Sequence, residues 1–238
     1  MNTRAQRRVA AVILTMGTLL GLALGVCASP LLQVRRVMVC GPDPSLASEV
    51  AGQIRVPAGA SVLLYPLHRV TRDARRCHRV GEVNVRRASP SVLEVEVKAR
   101  EPLAALDDGE GYTLVSREGI LLCRATEAPV ALPRLRGLTT PRAPLGTQLD
   151  RDRWRWTLEI LAGATKAGIR DGLSLDLSNL YQVRLTTADG VTANLGNVNS
   201  LTRKTVILGR VLAELRADGE QPVSVDVSTP ESPLWRTQ

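Results

Sequence analysis

Residues 81–102, Gly-Glu-Val-Asn-Val-Arg-Arg-Ala-Ser-Pro-Ser-Val-Leu-Glu-Val-Glu-Val-Lys-Ala-Arg-Glu-Pro, alternate apolar and polar side chains on either side of a short turn. Val83, Val85 and Arg87 share one face of the first arm. Leu93, Val95 and Val97 share one face of the second, with Glu94, Glu96 and Lys98 opposite. A period of two over both arms predicts a half-buried antiparallel hairpin. Ala88-Ser89-Pro90-Ser91 supplies the turn, because proline fixes φ and cannot extend a ladder. An isolated hairpin is marginal in water, so the chain must also supply a layer to cover its apolar face.

The residues before the hairpin supply that layer. Val34–Cys40 reads as a strand, with Val37 and Val39 on one face, and Gly41-Pro42-Asp43-Pro44 ends it. Asp43 suits a helix N-cap and Pro44 the first helical position, where no N–H is needed. Leu46, Val50 and Ile54 recur at helical spacing until Pro57 and Gly59 intervene. A second helix is predicted from Pro66, with Leu67, Val70, Ala74 and Cys77 on its apolar face. Strand, helix, helix, strand, strand makes a complete two-layer α+β domain over residues 34–101. Arg72, Arg75, Arg76 and Arg79 line the second helix. They read as a solvated face, with attraction to acidic lipid or a partner as the functional alternative.

Residues 9–29 contain no charged side chain. As a helix, 21 residues reach roughly 32 Å, enough to cross a bilayer core. Val9, Leu14, Leu19 and Leu24 mark this expected single span. Arg4, Arg7 and Arg8 in the basic tail 1–8 keep the N-terminus inside and the bulk of the chain outside the cytoplasmic membrane. Val26-Cys27-Ala28 partly fits a signal-peptidase site, but the apolar run exceeds the usual signal-peptide core, which favours an uncleaved anchor. A lipoprotein needs a small residue before its cysteine, and Val26 stands there.

The second half begins at residue 102. A helix is predicted over 150–168, with Trp154, Leu158 and Leu161 on one face; Trp156 falls off that face. Strands follow near 172–177, 180–187 and 191–195. Asn199 is a candidate cap for a helix Ser200–Ala217 that turns Leu201, Leu208, Val211, Leu212 and Leu215 inward. The last predicted strand is Val223–Val227, and only a tail, 228–238, follows it. Val223, Val225 and Val227 share one face, Ser224 and Asp226 the other. As the final strand of a mixed α/β domain it is expected to be an edge, whose unpaired N–H and C=O groups accept a strand from another chain. Trp235 in the tail is a candidate side-chain anchor beside it.

Composition narrows the chemistry. The formal charge of +8 is modest, and with the three N-terminal arginines set aside, 28 basic residues face 23 acidic ones. The basic residues are scattered and base-stacking aromatics are few, which argues against nucleic acid. His68 and His78 sit apart, no Cys or carboxylate cluster has zinc spacing, and no phosphate-cradling glycine loop or nucleophile elbow appears. No catalytic residue, metal or cofactor is therefore assigned. Cys77 reads as a small core residue. Cys40 and Cys77 fall where an oxidising compartment permits pairing, but sequence alone does not decide their geometry; Cys123 has no obvious partner.

A basic N-terminus, one apolar segment and a β-α-α-β-β module immediately after it resemble the FtsQ/DivIB family of bacterial cell-division proteins. The matching residues are Val37-Met38-Val39-Cys40-Gly41, Gly59 with Leu63-Leu64, Val85-Arg86-Arg87 with Pro90 and Leu93, and Val97-Lys98-Ala99-Arg100-Glu101-Pro102 with Ala104. Ala99 stands where the family usually has Glu. Leu114-Val115 through Glu118-Gly119-Ile120, and Leu132-Pro133-Arg134-Leu135-Arg136-Gly137, continue the likeness, with Ser116 in place of a common Asp. Leu195-Gly196 and Lys204 fall where the family has its Leu-Gly and helix Lys. The likeness is thinnest from 138 to 170.

The resemblance implies a POTRA-type domain over 34–101 and an FtsQ-like β domain over 102–227. It implies a non-enzymatic septal scaffold that links early division proteins to an FtsB/FtsL-like pair and, indirectly, to the FtsW/FtsI septal synthase. Taken with the edge-strand reading above, it makes Lys204, Val223, Ser224, Val225, Asp226, Val227 and Trp235 the candidate partner-binding residues. Two other classes use similar parts. One is a POTRA-containing outer-membrane assembly or secretion component, disfavoured by the lack of a long series of barrel strands. The other is an anchored envelope enzyme with a dispersed site.

Overall fold

The computed structural model describes residues 14–19, 21, 25, 29–138, 143–169 and 172–237. Residues 14–19, 21 and 25 are helical, so Leu14 and Leu19 are placed, both exposed. Val9 and Leu24 lie outside the described residues, as does much of the 9–29 segment. Among the described residues no helix is long and apolar enough to cross a membrane. The chain divides into two compact units, the first ending at Ala99 and the second beginning at Arg100. Both mix helices with sheet, an α+β composition.

In the first unit, β1 (Arg36–Cys40), α1 (Pro44–Gln53), α2 (Leu67–Ala74), β2 (Val80–Ser89) and β3 (Val92–Ala99) follow in the order read from the sequence. The sheet order is β1-β3-β2, with β1 parallel and β2 antiparallel to β3. Asp43 caps α1 by accepting from the Ser45 N–H at 2.9 Å. Leu46 and Val50 of α1 and Val70 and Ala74 of α2 pack on Leu93, Val95 and Val97, all fully buried. The central strand thus carries the most completely buried apolar face, and β1 and β2 flank it.

Two expectations for this unit are corrected, and the pairing of Cys40 with Cys77, left open by the sequence, is answered. The second helix stops at Ala74, before Cys77 and His78. Arg76 and Cys77 donate instead to carbonyls three residues back, so the tail of the helix tightens into turns that feed β2. Arg79 does not face solvent alone: its guanidinium reaches Asp43 at 2.8 Å and Glu49 at 3.4 Å. Cys40 and Cys77 are both free thiols. Cys40 takes an outward position on β1, whereas Cys77 is buried with its thiol donating to Glu49 Oε1 at 3.2 Å.

The second unit holds a nine-stranded sheet. Its strands are β4 (Pro102–Asp107), β5 (Tyr112–Ser116), β6 (Leu121–Ala125), β7 (Arg134–Arg136), β8 (Ser174–Asp176), β9 (Val183–Thr186), β10 (Thr192–Gly196), β11 (Pro222–Asp226) and β12 (Leu234–Thr237). They lie in the order β12-β11-β10-β9-β8-β7-β4-β5-β6. Helices α3 (Arg151–Lys166) and α4 (Leu201–Ala217) pack against each other and over one face. Gly163 and Gly209 permit the close approach, since a Cβ on either would meet Thr205 or Ala167 within 2.8 Å. Leu135, Leu175, Leu185, Ala193, Leu195 and Val225 point to the helices, and their alternate neighbours to the open face.

Asp150 caps α3 through the Arg153 N–H, where the sequence places a helix start. Trp154 is buried and Trp156 partly buried against the core. Asn199 does not cap α4. Ser200 occupies that position in a left-handed conformation, φ 53, with no side-chain cap bond. The buried face of α4 includes all five leucines and valines expected there, and also Lys204.

Candidate functional site

The strand expected to be the edge is not the edge. Residues 228–237 are not an appended tail: after a turn at 228–233, Leu234–Thr237 returns antiparallel along β11 and becomes the outermost strand among the described residues. Ser224, Val225 and Asp226 face Arg236, Trp235 and Leu234. On its other side β11 runs parallel to β10, and the Val227 N–H donates to the Asn194 carbonyl at 2.9 Å. Backbone groups alternate direction along a strand, so Val225 also faces β10, while Ser224 and Asp226 face β12. Leu234 and Arg236 therefore pair inward, and the N–H and C=O of Trp235 point away from the sheet.

The side chains of β12 are exposed along the whole strand. Leu234 is 71% exposed and Trp235 50%, beside Val223 at 47%. Val225 and Val227 are buried beneath α4, so the apolar face predicted for the three valines holds for two; Val223 lies beside a register irregularity at Pro222. On the open face, Arg184, Thr192, Asn194, Ser224, Asp226, Leu234 and Arg236 line a groove of about 500 Å³. A second groove of about 400 Å³ shares Arg184 and Thr192 and continues across β9, β8 and β7 to Asp107.

A polar network fixes the ends of β10 and β11. Asp226 accepts from Asn194 Nδ2 and from the Ser228 N–H, each at 2.8 Å. Burial raises the Asp226 carboxyl, but the Ser228 and Asn194 hydrogen bonds and the Lys204 charge outweigh it and hold the group below the usual carboxylate range. Lys204, 4% exposed, donates to the Asn197 backbone carbonyl at 3.1 Å and to its side-chain oxygen at 3.0 Å. Burial pushes the Lys204 ammonium down, with the Asp226 charge opposing. Gly196, at φ 65, turns the chain here; a Cβ would meet the Ser228 Cβ at 2.7 Å. Lys204 is thus an internal brace behind the sheet end.

The structure brings Ser224, Val225, Asp226 and Trp235 together at one edge and places Lys204 on its inner side. Leu234, Arg236, Arg184 and the Asn194–Asn197–Ser228 set are additions that the sequence reading missed. A signal for β12 exists: the turn-rich Ser228-Thr229-Pro230-Glu231-Ser232-Pro233 precedes a short apolar-aromatic run, the pattern of a hairpin with a long loop. The Asn and Ser partners come from separate loops and have no local signature.

No protein-family model matches the chain. Curated relatives do. The cell division protein FtsQ of Mycobacteroides abscessus is 24% identical over 206 residues, covering 86% of this chain and 62% of that protein. DivIB of Clostridium acetobutylicum is 20% identical over 161 residues, 66% of this chain and 64% of that protein. FtsQ of Anaeromyxobacter is 28% identical over 221 residues, 87% of this chain and 71% of that protein. The chain thus spans less than two thirds of the length of the first two. Proteins named FtsQ or DivIB thus align over most of its length, and this chain is similar to the FtsQ/DivIB cell-division proteins.

Proposed function

We propose that this protein is a non-catalytic scaffold of the bacterial division septum, anchored in the cytoplasmic membrane by residues 9–29 with its bulk outside. The names of its relatives support the division role. The second unit, read as the FtsQ-like β domain 102–227 with β12 added, receives a strand from an FtsB-like partner of an FtsB/FtsL-type pair. Through that pair it reaches an FtsW/FtsI-type septal synthase. The first unit, read as the POTRA-like domain 34–101, serves localisation.

One observation carries the partner reading: β12 ends the sheet with a backbone pair unclaimed by any described strand and with Leu234 and Trp235 exposed beside it. Strand addition uses the free backbone for affinity and neighbouring side chains for specificity. Leu234 and Arg236, the β12 residues at the outer wall of the groove, are the side chains that an incoming strand would meet first.

Two experiments test the reading. Depletion followed by microscopy should give filamentous, undivided cells; normal division with defective outer-membrane assembly or altered wall chemistry would overturn it. At the residue level, Trp235→Pro removes the outward N–H and the indole, whereas Trp235→Ala removes the indole alone. Partner binding should fall for both and further for the proline. Equal binding by the proline variant and the wild type rules out the edge.

A further inference from the structure

The first unit carries an apolar tip that its own core does not use. Leu63 and Leu64 are 49% and 65% exposed, between Val62 and Tyr65, which are buried. Leu31 is 72% exposed. A short ladder joins the two segments: Val34 donates to the Ala60 carbonyl at 2.8 Å, Gln33 bridges Ser61, and Val62 donates to the Leu32 carbonyl at 2.7 Å. Leu31 and Leu63 thus each lie one residue from a shared backbone hydrogen bond.

The turn is held by design of the fold. Arg87 of β2 donates from Nε to the Val62 carbonyl at 2.6 Å, and from its terminal nitrogen to the carbonyls of Leu63 at 3.1 Å and Tyr65 at 3.3 Å. A planar guanidinium satisfying three carbonyls fixes the backbone while leaving both leucine side chains outward. Neighbouring apolar side chains held outward on a clamped turn make the kind of exposed patch that marks a protein or membrane contact.

Position identifies the cover. Leu32 donates to the Ser29 carbonyl at 3.0 Å, and Ser29 closes the uncharged segment 9–29. Two hydrogen bonds therefore separate the end of that segment from Val62, a distance of about 10 Å by backbone dimensions. The headgroup layer on each side of a bilayer core is roughly 5–8 Å deep. If the chain emerges at Ser29, the tip is within reach of that layer. Exposed Arg69, five residues beyond Leu64, adds a charge that anionic headgroups attract.

We propose that Leu31, Leu63 and Leu64 form an interfacial foot that rests in the headgroup layer of the membrane from which the chain emerges. The inference depends on the membrane-anchor reading of residues 9–29. It fixes the orientation of the first unit on the membrane: the 62–64 turn faces lipid.

The test uses the full chain in vesicles of phosphatidylethanolamine and phosphatidylglycerol whose acyl chains are brominated near the headgroup. All three native tryptophans lie at 154 or beyond, so a new one in the first unit reports separately after subtraction of the parent signal. Leu64→Trp should be quenched about threefold or more above Val130→Trp, a control placed at an 82% exposed site in the second unit. Adding Leu31→Ser and Leu63→Ser should remove most of that excess. Leu63→Trp is the second reporter, and circular dichroism checks folding of each variant. Equal quenching at 64 and 130 in a chain that stays with vesicles through a carbonate wash overturns the foot alone, including the case where a protein covers the tip. A chain that washes off refutes the anchor reading, and the foot falls with it.

Discussion

At one end of the nine-stranded sheet, segment 146–149 lies along the start of β6. Gly146 donates to the Leu121 carbonyl at 2.8 Å, Leu121 to Thr147 at 3.0 Å, Leu149 to Gly119 at 2.8 Å, and Ile120 bridges Gln148. What remains of β6 presents the exposed Arg124. At the other end, no described residue pairs with the outer side of β12, and that strand presents Leu234 and Trp235. Natural sheets guard their edges with short strands, covering loops and charges. One edge here is guarded in that manner. The other combines a backbone unpaired among the described residues with an exposed aromatic, which is the observation behind the proposed strand addition.

The largest effect is expected from inverting the open edge. Trp235→Pro should weaken binding of an FtsB-like segment about 100-fold, roughly 2.7 kcal/mol, by titration calorimetry. Domain stability should change little, since that N–H has no partner within the sheet. Arg236→Pro is the contrast: its N–H pairs with β11, so the hairpin itself should come apart. The same logic reassigns Ser224 and Asp226. Prolines there break the β11–β12 ladder and do not act directly on a partner.

Next comes the closed edge. Gly119 sits at φ +78 in the turn that presents its carbonyl to Leu149, and a Cβ would meet Trp154 Cδ1 at 2.9 Å. Trp154 is held in place by its indole N–H donating to the Arg117 carbonyl at 2.9 Å. Gly119→Ala should cost about 2 kcal/mol in a urea titration through left-handed strain and the contact with the indole. Partner binding at β12 should persist. A loss of binding with stability intact would mean the two edges are not independent.

A smaller effect, about 1 kcal/mol, is expected for Asp226→Asn at neutral pH. The carboxyl of Asp226 is held below its usual range, so its folded value lies below the unfolded one. Its contribution is present above the unfolded value, about 3.9, and is lost as pH falls through the lower folded value. The stability gap between wild type and Asp226→Asn should therefore close below about pH 4. A gap constant down to pH 2, followed by urea midpoints, would show that the network does not depend on the charge.

The smallest thermodynamic effect belongs to Arg124→Val, within about 0.5 kcal/mol for a surface site. Its consequence should appear in sedimentation velocity, as self-association through the unguarded part of β6. If Arg124→Val stays monomeric, the covering loop alone protects that edge.

Local pattern sufficed for much of this molecule. The hairpin of β2 and β3, the Asp43 cap, the start of α3 near residue 150, and the inward face of α4 are all written in residues a few positions apart. Alternation and helical period follow from backbone geometry and do not need the rest of the chain. Arg87 shows where pattern stops: its place on the valine face was legible, but its carbonyl partners lie more than twenty residues away. Cys40 and Cys77 look pairable in sequence, yet one takes an outward strand position and the other a buried turn. The edge was decided only in three dimensions. Val223–Val227 reads as terminal because four residues, Leu234–Thr237, are too few to show a period. Whether they pair with β11 or trail into solvent depends on a turn and a ladder joining separate segments, and such pairing depends on backbone hydrogen bonds that carry little side-chain signature.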